Sequence, residues 1–321
     1  MLPRERGELS AAIIRYLRGG TTLPGTGAVQ RADPYGDDLQ LALYVSYELH
    51  YRGFAGADAA LEWDPALLGV RSLLEGRFLD AMRADATRHE TVDDALAELL
   101  VEPVNGTGVS HFLQDEGELW QIREYAAQRS LYHLKEADPH AWVLPRLWGR
   151  AKAGMAAVEF DEFGGGRAER AHAQLFADLM TDLGLDTTYG HYLNAGSAQA
   201  LATVNLMSLF GLHRALRGSL VGHFAAVEIT SSPGSRRLAA AMNRTGAGPA
   251  AEFFYNEHVE ADAVHEQVVR HEVIAGLLKE EPQLEADIAF GIDATGHVES
   301  RLADSLLAAW RSDASSLRTG S

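Results

Sequence analysis

The 321-residue sequence contains no cysteine. That excludes disulfides, thiolate nucleophiles, iron–sulfur clusters and thiolate-bound haem or zinc. Any metal must be held by His, Asp and Glu, which suit iron or manganese and, less selectively, zinc. Basic residues are also scarce: 28 Lys and Arg stand against 45 Asp and Glu, a formal net charge of −17. Such a chain repels phosphate backbones and anionic lipid surfaces, so neither nucleic acid nor membrane is expected as a partner. No apolar run is long enough to cross a bilayer, and the opening MLPRERGELS has no signal core, so a cytoplasmic location is expected. The sequons at Asn105 and Asn243 carry no weight in that setting. A flavin or nicotinamide fingerprint is missing as well, so electrons for any redox chemistry must come from outside. The acid excess has a plain reading, solubility, and a sharper one, that part of it is buried as metal ligands.

What is present is helical periodicity almost throughout. Leu9, Ile13, Ile14 and Leu17 form one stripe, and Leu41, Val45 and Leu49 another. Asp64-Pro65 supplies an N-cap and a first-turn proline, and Thr91 with Asp93 and Asp94 supplies a second helix start. Long helical patterns follow at 116–136, 138–162, 167–183, 197–213, 217–230, 249–279 and 299–311. Loops are expected at 19–34, 103–110, 184–196 and 230–235, and Gly164-Gly165-Gly166 is the clearest break. No strand pattern, repeat or linker divides the chain. It reads as one all-α domain over 1–314, with its core at 115–280, an N-terminal helical elaboration and a flexible tail at 315–321.

The strongest local signal is His258-Val-Glu-Ala-Asp262-Ala-Val-His265. On a helix these three side chains fall at about 0°, 40° and −20° around the axis, within one narrow stripe. Phe253, Phe254, Val264, Val268 and Val269 around them imply partial burial, and buried imidazoles and a carboxylate need a partner such as a metal. The plain alternative is a solvated face, and Glu257, Glu260, Glu266 and His271 show that this helix has one. The second signal is Glu162, followed after the glycines by Glu169 and His172 at i, i+3. The glycines allow a tight turn that could bring Glu162 to the same point. An ordinary helix–helix turn with capping acids would also fit; a phosphate loop would not, lacking a preceding strand and a following Lys-Ser/Thr. Glu136 ends the helix before, where acids are common. Together Glu136, Glu162, Glu169, His172, His258, Asp262 and His265 offer four carboxylates and three imidazoles from four helices. Helical bundles build dinuclear carboxylate sites in this manner. The repeated Glu-x-x-His of ferritin-like bundles is missing apart from Glu169/His172.

The pattern resembles the haem-oxygenase-like diiron oxidases and oxygenases. The likeness rests on Glu136, Glu162 twenty-six residues on, His172 ten further, and His258-x3-Asp262-x2-His265, over about residues 115–275. Glu48-Leu-His50-Tyr-Arg-Gly53-Phe also looks like a helix end of such proteins. The resemblance implies a haem-oxygenase-like helical bundle with two iron ions and O2 as co-substrate. Glu136, His172 and His265 would hold one iron, and Glu162, His258 and Asp262 the other. Glu169 occupies the place of an extra carboxylate that marks the amine N-oxygenating branch; its plain alternative is a surface acid paired with Arg167 or Arg170.

Three readings of function follow. The first is a diiron oxygenase that carries a small metabolite's amine nitrogen to hydroxylamine, nitroso or nitro, with an external reductase or chemical reductant. A homodimer is compatible with it. The second keeps the irons but performs oxidative C–C cleavage or desaturation of an amino acid or fatty acid. The third is a haem or small-ligand binding module on the same fold, which needs one proximal histidine and leaves the other ligands unexplained. His223 and Glu228 are candidates for groups around the site, and Arg123, Arg129 and Arg146 for a substrate carboxylate; a structural role is the commoner outcome for each.

Overall fold

The computed structural model describes residues 1–102 and 106–318, and no strand occurs among them. The N-terminal elaboration is built from α1 (Glu8–Leu17), α2 (Thr26–Arg31), α3 (Asp37–Glu48), α4 (Pro65–Asp85), α5 (Val92–Leu99) and α6 (Val109–Asp115). The remainder comprises α7 (Leu119–His133), α8 (Asp138–Ala141), α9 (Gly149–Glu162), α10 (His172–Asp182), α11 (Ala198–Leu212), α12 (Arg217–Thr245), α13 (Pro249–Val268), α14 (Ala275–Glu280) and α15 (Glu285–Trp310).

Local chemistry sets several boundaries. Asp64 accepts a hydrogen bond from the Leu67 amide at the start of α4, with Pro65 in the first turn, and Thr91 does the same for Asp94 at α5. Each cap stabilises its helix by about 1 kcal/mol. The apolar stripe of α1 is buried, whereas α3 is buried on nearly every side from Leu39 to Glu48, between α1, α4 and α11. α12 is the central helix, with α13 against one flank and α15 against another. Gly222 and Gly291 let α12 and α15 cross closely: a Cβ on the first would overlap the Ile288 carbonyl, and on the second the Ser219 carbonyl.

The structure departs from the sequence pattern in several places: α2 lies inside the expected loop at 19–34, and α15 begins at Glu285, not near 299. The segment 230–235 is not a loop; α12 runs through it with Pro233 inside. An interior proline costs about 3 kcal/mol. Burial of Ile229, Leu238 and Met242 on the same helix, at roughly 1.5–3 kcal/mol each, outweighs that. The pattern at 138–162 is broken by Pro145 and by Gly149 at φ 57°, so α9 begins only there. The pattern at 249–279 is interrupted by a π-helical turn, Val269–Ile274. Finally, α10 begins at His172 and not near 167, because Gly164, Gly165 and Gly166 all have positive φ and fold the chain back until Gly164 meets Arg170 and Ala171. At the C-terminus, residues 315–318 are tied down: Ser315 and Ser316 donate to Glu124, and the Arg318 amide donates to the Ala195 carbonyl. The rest of the expected tail, 319–321, and part of the expected loop at 103–110 lie outside the described residues.

Candidate metal centre

The centre lies where the ends of α7 and α9, the start of α10, and the middles of α12 and α13 converge. Glu136 sits in the turn after α7, one residue before Ala137, whose φ of 74° is left-handed. The His133 ring donates from Nδ1 to Glu136 Oε1 at 2.9 Å and stacks on Phe176. Oε2 of Glu136 is buried with no hydrogen-bond partner among the described residues. His258 donates from Nδ1 to the Phe254 carbonyl at 2.7 Å, which turns Nε2 inward. That Nε2 is also buried without a hydrogen-bond partner, 3.8 Å from Glu136 Oε1. His172, the first residue of α10, packs tilted against His258 with ring centroids 4.4 Å apart. Its Nδ1 lies 2.8 Å from Glu162 Oε2 without hydrogen-bond geometry, and so is unsatisfied as well.

A second group surrounds His265. Its Nδ1 is 3.1 Å from Glu228 Oε2, 3.5 Å from Glu162 Oε1 and 3.5 Å from Asp262 Oδ1. Its Nε2 faces Asp161 at 3.5 Å. Ligand atoms of Glu136, His172 and His258 lie within 4.8 Å of one another, as do those of Glu162, Glu228, Asp262 and His265. All seven residues are buried. Glu162 touches both groups through its two oxygens, as a bridging carboxylate would. Three buried polar atoms without a hydrogen-bond partner are costly, and a bound cation would satisfy them once the imidazoles are deprotonated; this hard oxygen and imidazole donor set fits iron. Fixing one ring nitrogen of His258 on a carbonyl presents the other in the orientation a ligand needs.

The charge state of the metal-free site follows from this crowding. Burial lowers the His258 pKa, but Glu136, Asp262 and Glu162 outweigh it and hold it at about 10. Burial likewise opposes protonation of His265, while Asp262, Glu228 and Glu162 lift it to about 11. Burial raises Glu228 to about 8, with Asp262 and Glu162 adding to it and His265 opposing. Glu136 is held well below the usual carboxylate range; burial opposes this, and His133 and His258 prevail. Glu159, one turn before Glu162, is buried with both oxygens unpartnered, and burial followed by the charges of Glu162 and Glu228 raises it to about 9.

Six of the seven sequence candidates converge; Glu169 does not. It is exposed, on a single 3₁₀ turn (Ala168–Arg170) ahead of α10, so it does not share a helical face with His172. The fold-back at the glycines and the Arg170–Glu257 ion pair at 2.6 Å hold that turn outward. The grouping of the candidate residues also differs from the pairing implied by resemblance. His258 groups with Glu136 and His172, and His265 with Glu162, Asp262 and Glu228. The two histidines stand about two turns apart along α13, so each reaches a different end of the cluster. The fourth carboxylate of the cluster is thus Glu228, which the sequence offered only as a group around the site, because the helix carrying it reads as ending two residues later. His223 instead pairs with His140 and Thr295, Arg129 with Glu299, and Arg123 and Arg146 with backbone carbonyls.

A cavity of about 360 Å³ opens on this centre from the α9–α10 turn. His172 and His265 form its floor, and Asp161, Arg167, Arg170 and Glu260 stand at its rim.

The all-helical bundle encloses buried carboxylate–imidazole groups that could hold a metal ion. Residues 123–299, more than half of the chain, match the sequence model of the iron-containing redox enzymes, and the protein belongs to that family. It is therefore an iron-dependent oxidoreductase of the haem-oxygenase-like class. No curated protein matches the sequence.

Proposed function

We propose that this enzyme is a non-haem oxygenase that holds two iron ions and oxidises the nitrogen of a small amine. The observation that carries the reading is the pair of adjacent buried ligand groups joined by Glu162. Glu136, His172 and His258 would hold one ion, and Glu162, Glu228, Asp262 and His265 the other. Iron held by these residues would supply electrons to O2. The protein's own residues do the rest. Phe176 and Phe254 wall off one side from water, and His133 fixes the Glu136 carboxylate. At the rim Arg170 is paired with Glu257, which leaves Asp161 and Glu260 against Arg167 and a small acid excess toward an ammonium group, which must shed its proton before its lone pair can react. The overall step balances as R–NH2 + O2 + 2 e⁻ + 2 H⁺ giving R–NHOH + H2O, with the electrons from an external reductant.

One observation favours the second reading, oxidative C–C cleavage or desaturation of an amino acid or fatty acid. With Glu169 exposed, the carboxylate that the resemblance ties to N-oxygenation is missing from the site. The deciding experiment loads the protein anaerobically with Fe(II), counts metal per chain, and then adds O2 and reductant with candidate amines and fatty acids. About two irons per chain and hydroxylamine products are expected. Carbon-cleaved or unsaturated products without N-oxidation would move the assignment to the second reading. One iron per chain, unchanged in Asp262→Ala, would argue for a mononuclear site.

A further inference from the structure

The segment that carries Glu136 is gripped from outside the family's matched region. Lys135, the residue before Glu136, points away from the centre into the N-terminal elaboration. Its ammonium meets Glu48 Oε2 at 2.9 Å, and both side chains are only 1% exposed. The Tyr51 and Tyr44 rings face the same ammonium at 4.2 and 4.9 Å. The Tyr189 hydroxyl donates to the other oxygen of Glu48 at 2.7 Å. Arg52, stacked over Tyr189 at 4.2 Å, donates to the Leu134 carbonyl at 3.0 Å. The end of α3 and the turn after it therefore hold two consecutive residues, Leu134 and Lys135, immediately before Glu136. On the other side of Glu136 stands Ala137 in the left-handed region, a conformation that costs a non-glycine residue roughly 1–2 kcal/mol. A turn of that cost, carrying a ligand, persists only when its surroundings fix it.

A buried ion pair is a poor device for stability alone. The loss of hydration roughly cancels the attraction, and an apolar pair of similar volume often serves as well. What such a pair does supply is a single geometry. From this juxtaposition we infer that Glu48 and Lys135, with Arg52, are positioning residues that set the Glu136 carboxylate against His172 and His258. The inference rests on the reading of Glu136 as a metal ligand. It gives the N-terminal elaboration a part in the centre, because Glu48 and Arg52 lie well before residue 123, where the family match begins.

The test uses the full-length chain and Mn(II) as probe. Lys135→Met alone leaves the buried Glu48 charge unpaired and risks misfolding. The neutral double variant Glu48→Gln/Lys135→Met avoids that and should melt near the parent. Mn(II) binding is followed by the loss of the free-ion resonance, with Glu136→Ala and Asp262→Ala identifying which group of ligands each binding step reports. Affinity at the Glu136 group is expected to fall roughly ten- to hundredfold in the double variant, with the Glu228 group unchanged. Amide exchange across 134–138 should quicken in the metal-free double variant, while that of α10 and α13 stays as in the parent. Parent-like Mn(II) affinity at the Glu136 group overturns the inference, whatever the exchange shows. A parent that takes no Mn(II) at Glu136 overturns the reading of the centre instead. Exchange at 134–138 then judges the grip alone, and an unchanged rate rejects it.

Discussion

A buried carboxyl group with neither oxygen hydrogen-bonded is stable only as the neutral acid, and Glu159 is such a group. Its folded pKa, about 9, lies above the ordinary 4.5, so ionisation opposes folding. The penalty is absent below pH 4.5, grows as pH rises, and is complete above about 9. Glu159→Gln should therefore stabilise the metal-free protein at pH 7.5 by up to about 4 kcal/mol and make little difference at pH 4.5. Urea unfolding at the two pH values checks this, and an equal difference at both would reject it. A second residue-scale contrast concerns two acids. Glu228→Ala removes a buried carboxylate 3.1 Å from His265 and should abolish metal binding at that group. Glu169→Ala removes an exposed one and should bind iron as the parent does. Metal content after anaerobic loading separates them. Loss of iron in Glu169→Ala would mean that the α9–α10 turn closes inward when metal is present.

At the scale of elements, α12 carries Glu228 of the second candidate group and its position is set by the close crossing with α15. Gly222 lies six residues before Glu228 and has no room for a methyl group. Gly222→Ala is expected to force the helices apart, lower stability by about 1–3 kcal/mol or more, and weaken metal binding at the Glu228 group. Thermal unfolding and Mn(II) titration test both; unchanged values would show that the crossing relaxes without moving α12. α13 and α9 face each other across acids and imidazoles, and loading should slow amide exchange in α13 above all. Equal exchange with and without iron would place the metal elsewhere. The same elements show what could be read from sequence. His258, Asp262 and His265 were visible because helical geometry alone puts them on one stripe. Glu162 and His172 were visible because glycines announce a tight turn. Glu228 was visible only as a group around the site, since Pro233-Gly234 reads as a helix end and packing against α13 carries the helix through it. Glu169 failed for the opposite reason: its i, i+3 spacing to His172 is meaningful only if both share a helix, and the fold-back at Gly164 delays that helix to His172. The contact of Glu48 with Lys135 joins residues far apart in the chain, beyond any local pattern.

At the scale of the whole molecule, the net charge of −17 is partly a store of buried anions that the metal-free protein must neutralise with protons. His258 at about 10 and His265 at about 11 are both protonated at neutral pH, and Glu228 at about 8 is largely so. A metal can bind only the deprotonated forms, so loading at pH 7 should release up to three protons from these groups. For the histidines, a folded pKa above the ordinary 6.5 means that their ion pairs stabilise the metal-free fold fully below pH 6.5. That contribution is lost as pH rises through about 10 to 11. Over the same rise, competition by protons falls and the bound state gains. The metal-free and metal-loaded proteins should thus diverge in stability with increasing pH. Their melting temperatures should draw together at pH 6 and separate at pH 9. Calorimetric titration with Mn(II) in buffers of different ionisation enthalpy measures the protons released. Affinity should rise by roughly tenfold per pH unit for each proton displaced. A titration that releases no protons between pH 6 and 8 would show that His258 and His265 are neutral before loading. The carboxylates of the cluster would then be ionised as well, because a proton on any ligand is released on loading.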